Sequence, residues 1–282
     1  MRSRGDKDND PLVIWLTGGP GCASELAVMY ENGPWKINAD LSLRKNPYSW
    51  NTNANIVFID QPLGTGYSKG KLSDLDKNET AIAEDFYTFL TRFIDKYTEY
   101  VDRPMFITGE SYAGHYIPRI SSYILKQKNP RINLLGAAIG NGWVDPYDQY
   151  PEYVTFALEN KLISKNMADI LANYMKSCQE LIKDGEWEKA MEICNIITLP
   201  IVGPSIDPKF NPYDIRIKCE KPPLCYDFSN LDKFLKRSDV QAQMNTTGIK
   251  WHECSQEVHS MLLGDWMTNL QDDVTYLLEN GM

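Results

Sequence analysis

Short apolar runs alternate with longer amphipathic stretches along the first half of the chain. Four of these runs are strand-sized, partly β-branched and flanked by Gly or Pro: Leu12–Leu16, Ile56–Asp60, Met105–Thr108 and Leu134–Ile139. Such runs are typical of strands buried in a mainly parallel sheet. Between the second and third runs, an apolar stripe repeats every three or four residues, which predicts a sheet-covering helix. Its members are Phe86, Phe89, Leu90, Phe93, Ile94 and Tyr97. Strand alternating with helix predicts an α/β domain.

The pattern changes between Tyr147 and Cys225. Polar helices, aromatic residues and a proline-rich stretch, with prolines at 200, 204, 208 and 212, replace the alternation of strands and helices. An insertion over a sheet edge is expected to have this composition. We therefore predict a core formed by residues 1–146 and 226–282, with residues 147–225 as a helical cap insertion.

Helix start and stop signals divide the remaining polar segments. Ser164–Asp184 has an N-cap serine and ends at Gly185, and Glu186–Thr198 is predicted to return antiparallel to it. Three further helices follow: Ser229–Leu235, Ser238–Met244 and Trp266–Asn280, the last with Gly281 at its C-terminal end.

Composition narrows the class of protein. A chain of 282 residues, 43% of them hydrophobic, can bury a full core. No run of eighteen apolar residues occurs, so we expect no membrane-spanning helix. The net charge of −9 argues against a nucleic-acid partner and suits an acidic or extracellular compartment.

Two features of the sequence bear on whether the protein is secreted, and they differ. Sequons for N-glycosylation begin at Asn78 and Asn245 and agree with a secretory compartment. The first ten residues, Met1–Asp10, contain no apolar segment of the kind a signal peptide requires. We therefore expect a secretory protein whose signal peptide is absent from this sequence.

The six cysteines permit fifteen complete pairings, among which the sequence alone does not choose. Cys178 and Cys194 each lie eight residues from Glu186, so they would face each other across the predicted helical hairpin. A disulfide between them is therefore feasible. No C-x2-C pair occurs, and the cysteine in Trp251–Cys254 stands alone, so we expect no metal site.

Residues 105–114 predict a strand, a tight turn and a helix, with Ser111 at the apex of the turn. This is the pattern of a nucleophile elbow, in which the turn exposes a serine hydroxyl above the sheet. Small residues at Gly109 and Ala113 would let the strand and helix approach closely. The alternative is an ordinary strand-to-helix loop whose serine caps the helix.

A glycine-rich segment, Gly18–Gly21, directly follows the first apolar run. An elbow serine needs a second backbone N–H to bind the oxyanion, and glycine lets the backbone come close enough to supply it. A phosphate-binding loop is the alternative. No G-K-[ST] or G-x-G-x-x-G motif follows, which makes a nucleotide site improbable.

Several motifs together resemble the serine carboxypeptidase family of the carboxypeptidase Y type. They are Trp15–Cys22 (WLTGGPGC), Asn46–Asn51 (NPYSWN), Asp60–Pro62 (DQP), Gly109–Pro118 (GESYAGHYIP), Ile139–Gly142 (IGNG) and Gly264–Met267 (GDWM). The resemblance covers nearly the whole chain and implies an α/β-hydrolase fold. It also implies a serine enzyme without a cofactor that releases C-terminal residues from peptides and proteins through an acyl-enzyme, preferably at acidic pH.

The resemblance assigns roles to particular residues. It makes Ser111 the nucleophile and the N–H groups of Gly19 and Tyr112 the oxyanion hole. It assigns binding of the substrate's terminal carboxylate to five residues: Trp15, Thr17, Gly18, Glu31 and Glu110. At the position of Thr17 the family often has asparagine, whose amide N–H can donate a hydrogen bond. The threonine hydroxyl can donate one as well. Glu31 and Glu110 can bind a carboxylate only through a shared proton, which requires a raised pKa.

The resemblance also bears on the cysteines and histidines. It suggests Cys22 with Cys254 and Cys219 with Cys225, which together with Cys178 and Cys194 accounts for all six cysteines. His115 is expected to be structural. His252 and His259 are expected at the surface or behind the site, rather than as the catalytic base.

The chain also lacks parts of the family pattern. The family's catalytic Asp and His lie on two later turns that this sequence lacks, and its first strands precede Pro11. Three interpretations follow: a fragment of an active enzyme that is inactive by itself, a peptide-binding pseudoenzyme, or an acyltransferase. The resemblance implies peptide or protein C-termini as partners, a monomer or homodimer, and a vacuolar, lysosomal or secreted location.

Overall fold

The computed structural model describes residues 1–222 and 225–282. It divides into two compact units. The first comprises Met1–Val144, Ser229–Leu262 and Leu270–Met282, and the second comprises Asp145–Phe228 and Leu263–Asn269. Residues 223 and 224 of the predicted cap insertion lie outside the described residues.

The strands lie in the first unit. They are β1 (Leu12–Leu16), β2 (Trp35–Ile37), β3 (Leu43–Lys45), β4 (Asn55–Ile59), β5 (Pro104–Glu110) and β6 (Asn133–Gly140). Four of them form a sheet in the order β4-β1-β5-β6, and β2 and β3 form a separate antiparallel pair. All neighbours in the four-stranded sheet are parallel. The predicted parallel sheet and α/β class are therefore confirmed.

The register of the sheet brings the ends of three strands together. Leu16 at the end of β1 is level with Gly109 in β5, and Glu110 is level with Gly140 at the end of β6. Because the strands are parallel, the segments that follow β1, β5 and β6 leave the same edge of the sheet. The glycine-rich segment and the turn at Ser111 are therefore neighbours.

The helices of the described residues are α1 (Glu25–Tyr30), α2 (Glu79–Lys96), α3 (Ala113–Gln127), α4 (Pro146–Glu159), α5 (Lys165–Lys183), α6 (Trp187–Cys194), α7 (Thr198–Ile201), α8 (Ser229–Leu235), α9 (Ser238–Met244), α10 (Gln256–Met261) and α11 (Gln271–Glu279). None of them is long and apolar enough to span a membrane.

Helix α2 shows how sequence pattern becomes packing. The Asn78 side chain accepts a hydrogen bond from the N–H of Ala81 and caps the helix. Of the predicted apolar stripe, Phe86, Leu90 and Ile94 are buried. Phe89 is 38% exposed and contacts Phe93 at 5.9 Å between ring centroids, so part of the stripe forms an outer aromatic row.

Two predicted helices are shorter than expected. The segment Glu186–Thr198 is helical only to Cys194, after which a 3-10 turn, Asn195–Ile197, leads into α7. The segment Trp266–Asn280 is helical only from Gln271. The N–H of Leu270 donates to the Val144 carbonyl at 3.1 Å, so tertiary contact replaces a helical hydrogen bond there.

Every cysteine is in a disulfide. The pairs are Cys22–Cys254, Cys178–Cys194 and Cys219–Cys225. Cys178–Cys194 joins the two helices of the predicted hairpin, α5 and α6. Cys22–Cys254 closes a separation of 232 residues within the first unit and lies beside the glycine-rich segment.

Candidate active site

Ser111 occupies a strained turn between β5 and α3. Its φ angle is 60°, in the left-handed region that non-glycine residues rarely adopt. Its N–H donates to Gly140 at 3.0 Å, and its carbonyl accepts from Gly114 at 3.0 Å and from Trp143 at 2.9 Å. These bonds, to the first turn of α3 and to the end of β6 with the loop that follows it, hold the conformation in place. The residue is exposed, so its hydroxyl is accessible at the edge of the sheet.

Two glycines allow the backbone around Ser111 to pack closely. A Cβ atom on Gly109 would lie 2.1 Å from the carbonyl oxygen of Leu16, and one on Gly18 would lie 2.4 Å from the nitrogen of Tyr112. Real Cβ atoms do not approach other atoms this closely. The glycine-rich segment therefore touches the residue that follows Ser111, which only glycine permits.

The peptide group between Gly18 and Gly19 has a fixed direction. The Gly18 carbonyl accepts a hydrogen bond from the N–H of Cys22 at 3.1 Å. In a trans peptide the N–H points opposite to the carbonyl, so the N–H of Gly19 is directed away from Cys22. Cys22 is itself held by its disulfide to Cys254. The segment can thus present a backbone donor in a defined orientation.

Glu110, the last residue of β5, and Glu31, the residue directly after α1, form a carboxyl pair. Their side chains are hydrogen-bonded to each other. Burial, and then the charge of Glu110, raise the pKa of Glu31 to about 8. Lys36 opposes the shift, and its Nζ donates to the main-chain oxygen of Glu31 at 2.7 Å. Below pH 8 the pair therefore retains a proton.

Trp15 and Thr17 lie at the end of β1 and immediately after it. The Trp15 Nε1–H donates to the Thr17 hydroxyl at 3.2 Å, and both side chains are buried. The indole also packs edge-on against Trp50, with ring centroids 5.3 Å apart. The hydroxyl accepts this hydrogen bond and keeps its own hydrogen for another acceptor.

The histidines occupy three different environments. His115 is fully buried, and its Nδ1 lies 2.5 Å from the Trp143 carbonyl, to which it must donate because a carbonyl only accepts. His259 forms a hydrogen bond with the Pro20 backbone, and burial lowers its pKa. His252 is exposed. His115 thus helps to fix the turn, and His259 supports the glycine-rich segment.

The two sequon asparagines are exposed. Asn78 uses Oδ1 to cap α2, and Asn245 adopts a φ of 55° at the end of α9. Among the described residues, no cluster of three or more side chains of the kinds that bind metals is present.

One cluster was missed by sequence analysis. Glu25 at the start of α1 and Asp60 after β4 are hydrogen-bonded through their side chains, close to the glycine-rich segment. Asp60 belongs to a recognised motif, but no sequence signal connects it to Glu25, which lies 35 positions earlier.

Comparisons with known proteins agree with this geometry. The model of the family described as serine carboxypeptidase matches residues 1–282. "Serine carboxypeptidase 3" of Oryza sativa subsp. japonica is 42% identical over 100% of this chain and 58% of its own length. "Serine carboxypeptidase S10 family member 1" of Dictyostelium discoideum is 41% identical over 99% of this chain and 68% of its own length.

A solved structure shows the same fold. The crystal structure of Kex1(delta)p, a prohormone-processing carboxypeptidase from Saccharomyces cerevisiae, superimposes with a TM-score of 0.88 at 30% identity. The match covers 100% of this chain and 65% of that one. The predicted α/β-hydrolase fold is thereby confirmed. The chain spans a little over half the length of the rice relative, at 58%.

Proposed function

We infer, from the premise that this chain belongs to the serine carboxypeptidase family, that the whole protein releases C-terminal residues from peptides and proteins through an acyl-enzyme. The observation that carries this proposal is the turn at Ser111. A serine with a left-handed φ, an exposed side chain and a glycine backbone packed against the next N–H has the geometry of an acyl-transfer nucleophile.

The proposed reaction has two steps. Ser111 Oγ attacks the scissile carbonyl carbon and loses its proton to a base, while the N–H groups of Gly19 and Tyr112 bind the oxyanion. The C–N bond then breaks, the base returns the proton to the leaving amine, and an ester remains on Ser111. Water gives a proton to the base and attacks that ester, the bond between the acyl carbon and Ser111 Oγ breaks, Oγ takes the proton back from the base, and the shortened peptide leaves.

We place the base and its acid outside residues 1–282. His115 donates to Trp143, His259 is bonded to Pro20, and His252 belongs to an exposed loop. These contacts support structural roles for the described histidines. We therefore assign the base that accepts the Ser111 proton to another part of the whole protein.

Specificity for a free C-terminus is assigned to Trp15, Thr17, Gly18, Glu31 and Glu110. The shared proton of the Glu31–Glu110 pair supports this assignment, because a protonated carboxyl can donate to the substrate carboxylate. The Thr17 hydroxyl has a hydrogen to donate as well. A preference for acidic pH follows, since the proton is retained there.

Covalent labelling tests the nucleophile. The whole protein is treated with a fluorophosphonate probe, and the labelled peptide is identified by mass spectrometry. We expect modification at Ser111, and loss of both labelling and peptide hydrolysis in Ser111→Ala. Hydrolysis by Ser111→Ala at the wild-type rate would contradict the proposal. Labelling combined with transfer of an acyl group to an alcohol, without hydrolysis, would identify an acyltransferase instead.

We also propose that residues 147–225 act as a cap and that the protein follows the secretory route to a vacuole, a lysosome or the exterior. The exposed sequons at Asn78 and Asn245 and the three disulfides support the secretory location. Treatment of the native protein with an endoglycosidase should lower its mass, and Asn78→Gln with Asn245→Gln should reduce that change.

A further inference from the structure

A second pair of carboxyl groups lies beside the segment that carries Thr17 and Gly18. Asp60 accepts hydrogen bonds from the backbone N–H groups of Ser24 at 2.9 Å and Tyr67 at 2.7 Å. Glu25 accepts a hydrogen bond from the Trp251 Nε1–H at 3.1 Å. The two carboxyl groups are also hydrogen-bonded to each other. Two carboxylates cannot form such a bond unless one of them is protonated.

The surroundings decide which carboxyl carries the proton. Burial raises the pKa of Asp60, but two backbone donors and the positive charge of Lys69 oppose this shift and stabilise its anionic form. Burial, and then the charge of Asp60, raise the pKa of Glu25 to about 8. The other titratable group that faces the pair is Tyr67, whose pKa is also raised by burial, so it stays neutral. The proton therefore resides on Glu25.

Ser24 connects this pair to the candidate substrate site. The Ser24 N–H binds Asp60, its Oγ–H donates to the Ile59 carbonyl at 2.7 Å, and its Oγ accepts from the N–H of Thr17 at 3.4 Å. Thr17 is thus linked to Asp60 through a single residue. The start of α1, the end of β4 and the segment after β1 are all held by these bonds.

We propose that Glu25 and Asp60 are a positioning pair, which shares one proton and holds the Thr17–Gly18 segment in the conformation that binds the substrate carboxylate. The functional part of this inference rests on the proposed carboxypeptidase activity. When the proton is lost, two negative charges are placed in contact and the hold on Ser24 weakens. The pair therefore acts separately from Glu31 and Glu110, which would touch the substrate itself.

Glu25→Gln is a conservative test. A glutamine side chain can donate its amide N–H to Asp60 and accept from Trp251 with its oxygen, so both contacts are kept without a titrating group. Glu84→Gln, on the exposed side of α2, is the matched control. Glu25→Ala removes the contacts entirely.

The first measurement does not depend on activity. Between its pKa in the unfolded chain and its raised pKa in the folded protein, a glutamate is protonated when folded and ionised when unfolded. Each rise of one pH unit in this range increases the unfolding constant by up to about tenfold. For Glu25 that window runs from the ordinary glutamate pKa of 4.5 to about 8. The unfolding constant of the whole protein is therefore measured with urea from pH 5 to 8. The slope of its logarithm against pH should be smaller in Glu25→Gln than in wild type, by up to one proton. The slope should be unaltered in Glu84→Gln. Equal slopes in wild type and Glu25→Gln would overturn the proposal.

The second measurement tests positioning. For a blocked dipeptide with a free C-terminus at pH 5, we expect Glu25→Ala to raise KM by about tenfold, the loss of roughly one charge-assisted hydrogen bond, with a smaller change in kcat. Glu25→Gln should restore the wild-type KM. An unchanged KM in Glu25→Ala would overturn the positioning role. A changed unfolding slope in a protein that hydrolyses no peptide would uphold the shared proton and overturn the proposed function.

Discussion

Single residues set the geometry of the candidate site in two ways. At Gly18 and Gly109, the backbone comes so close to its neighbours that no side chain fits. At Ser111, a hydrogen bond to the Gly140 carbonyl and hydrogen bonds from the N–H groups of Gly114 and Trp143 hold a backbone conformation that serine would otherwise avoid. The glycines allow backbone N–H donors to come close to the site, and the turn exposes the Ser111 hydroxyl. Neither effect depends on the titration of a side chain.

The Glu31–Glu110 pair, in contrast, does titrate. Because the pKa of Glu31 is raised to about 8, its proton is present below that pH and is lost as the pH rises through it. In the whole protein, KM for peptides with a free C-terminus should therefore increase between pH 7 and 9. Glu110→Gln should flatten this increase, since an amide donates at every pH and carries no charge.

The control for this prediction is Glu99→Gln, which changes an exposed glutamate whose carboxylate binds Arg2. It should keep the wild-type dependence of KM on pH. If Glu110→Gln also keeps that dependence, the pair has no part in binding the substrate carboxylate.

The two carboxyl pairs differ in how far the sequence reveals them. Glu110 adjoins Ser111 in a recognisable motif, and Glu31 was identified through the same family resemblance. Glu25 and Asp60 are 35 residues apart, and only the packing of α1 against the end of β4 brings them together. A contact of this kind has no local pattern, so the sequence alone did not predict it.

Several secondary-structure elements have the bounds that the sequence predicts. Predicted and observed bounds are identical for β1, α8 and α9, and the other three predicted strands start or end within two residues of their expected bounds. The pair β2 and β3 was missed because each strand has three residues and none of them is fully buried. An apolar pattern cannot mark strands of that kind.

One ionic cluster joins two helices of the first unit. Asp273 in α11 is buried and accepts a hydrogen bond from Ser122 at 2.5 Å, while Arg119 in α3 lies 3.1 Å from its other oxygen. We expect Asp273→Ala to lower the free energy of unfolding by about 2 kcal/mol, because it removes the acceptor of the Arg119 guanidinium and leaves the Ser122 hydroxyl with only its longer bond to the Arg119 carbonyl, at 3.2 Å. The value is below that of a fully buried pair because Arg119 is partly exposed.

Urea unfolding of the whole protein measures this change. Asp272→Ala is the matched control, since Asp272 is exposed in the same helix turn and should change stability by less than about 0.5 kcal/mol. Equal stabilities of the two variants would show that the cluster does not hold α11 against α3.

At the scale of the whole chain, the four-stranded sheet formed by the described residues ends in the strands β4 and β6. Strand β6 is an edge strand, and Leu135 within it is 51% exposed. An edge with exposed apolar residues tends to pair with another chain. Residues 1–282 expressed alone are therefore expected to aggregate more readily than the whole protein.

The same fragment should have no measurable peptidase activity. Without a base, a serine hydroxyl is a poor nucleophile, and loss of the base from a serine triad costs on the order of a millionfold in rate. The assay compares residues 1–282 with the whole protein on a blocked dipeptide, with circular dichroism to establish that the fragment is folded. Comparable turnover would show that His252 or His259 reaches Ser111, and our placement of the base would be wrong.

The central claim is that the whole protein is a carboxypeptidase whose nucleophile is Ser111 and which recognises a free terminal carboxylate. The most direct measurement compares the rates at which it releases the last residue from one blocked dipeptide, as the free acid and as the C-terminal amide, at pH 5. We predict rapid release from the acid, at least about tenfold slower release from the amide because a charge-assisted hydrogen bond is lost, and neither reaction in Ser111→Ala. Equal rates on the acid and the amide would contradict the account.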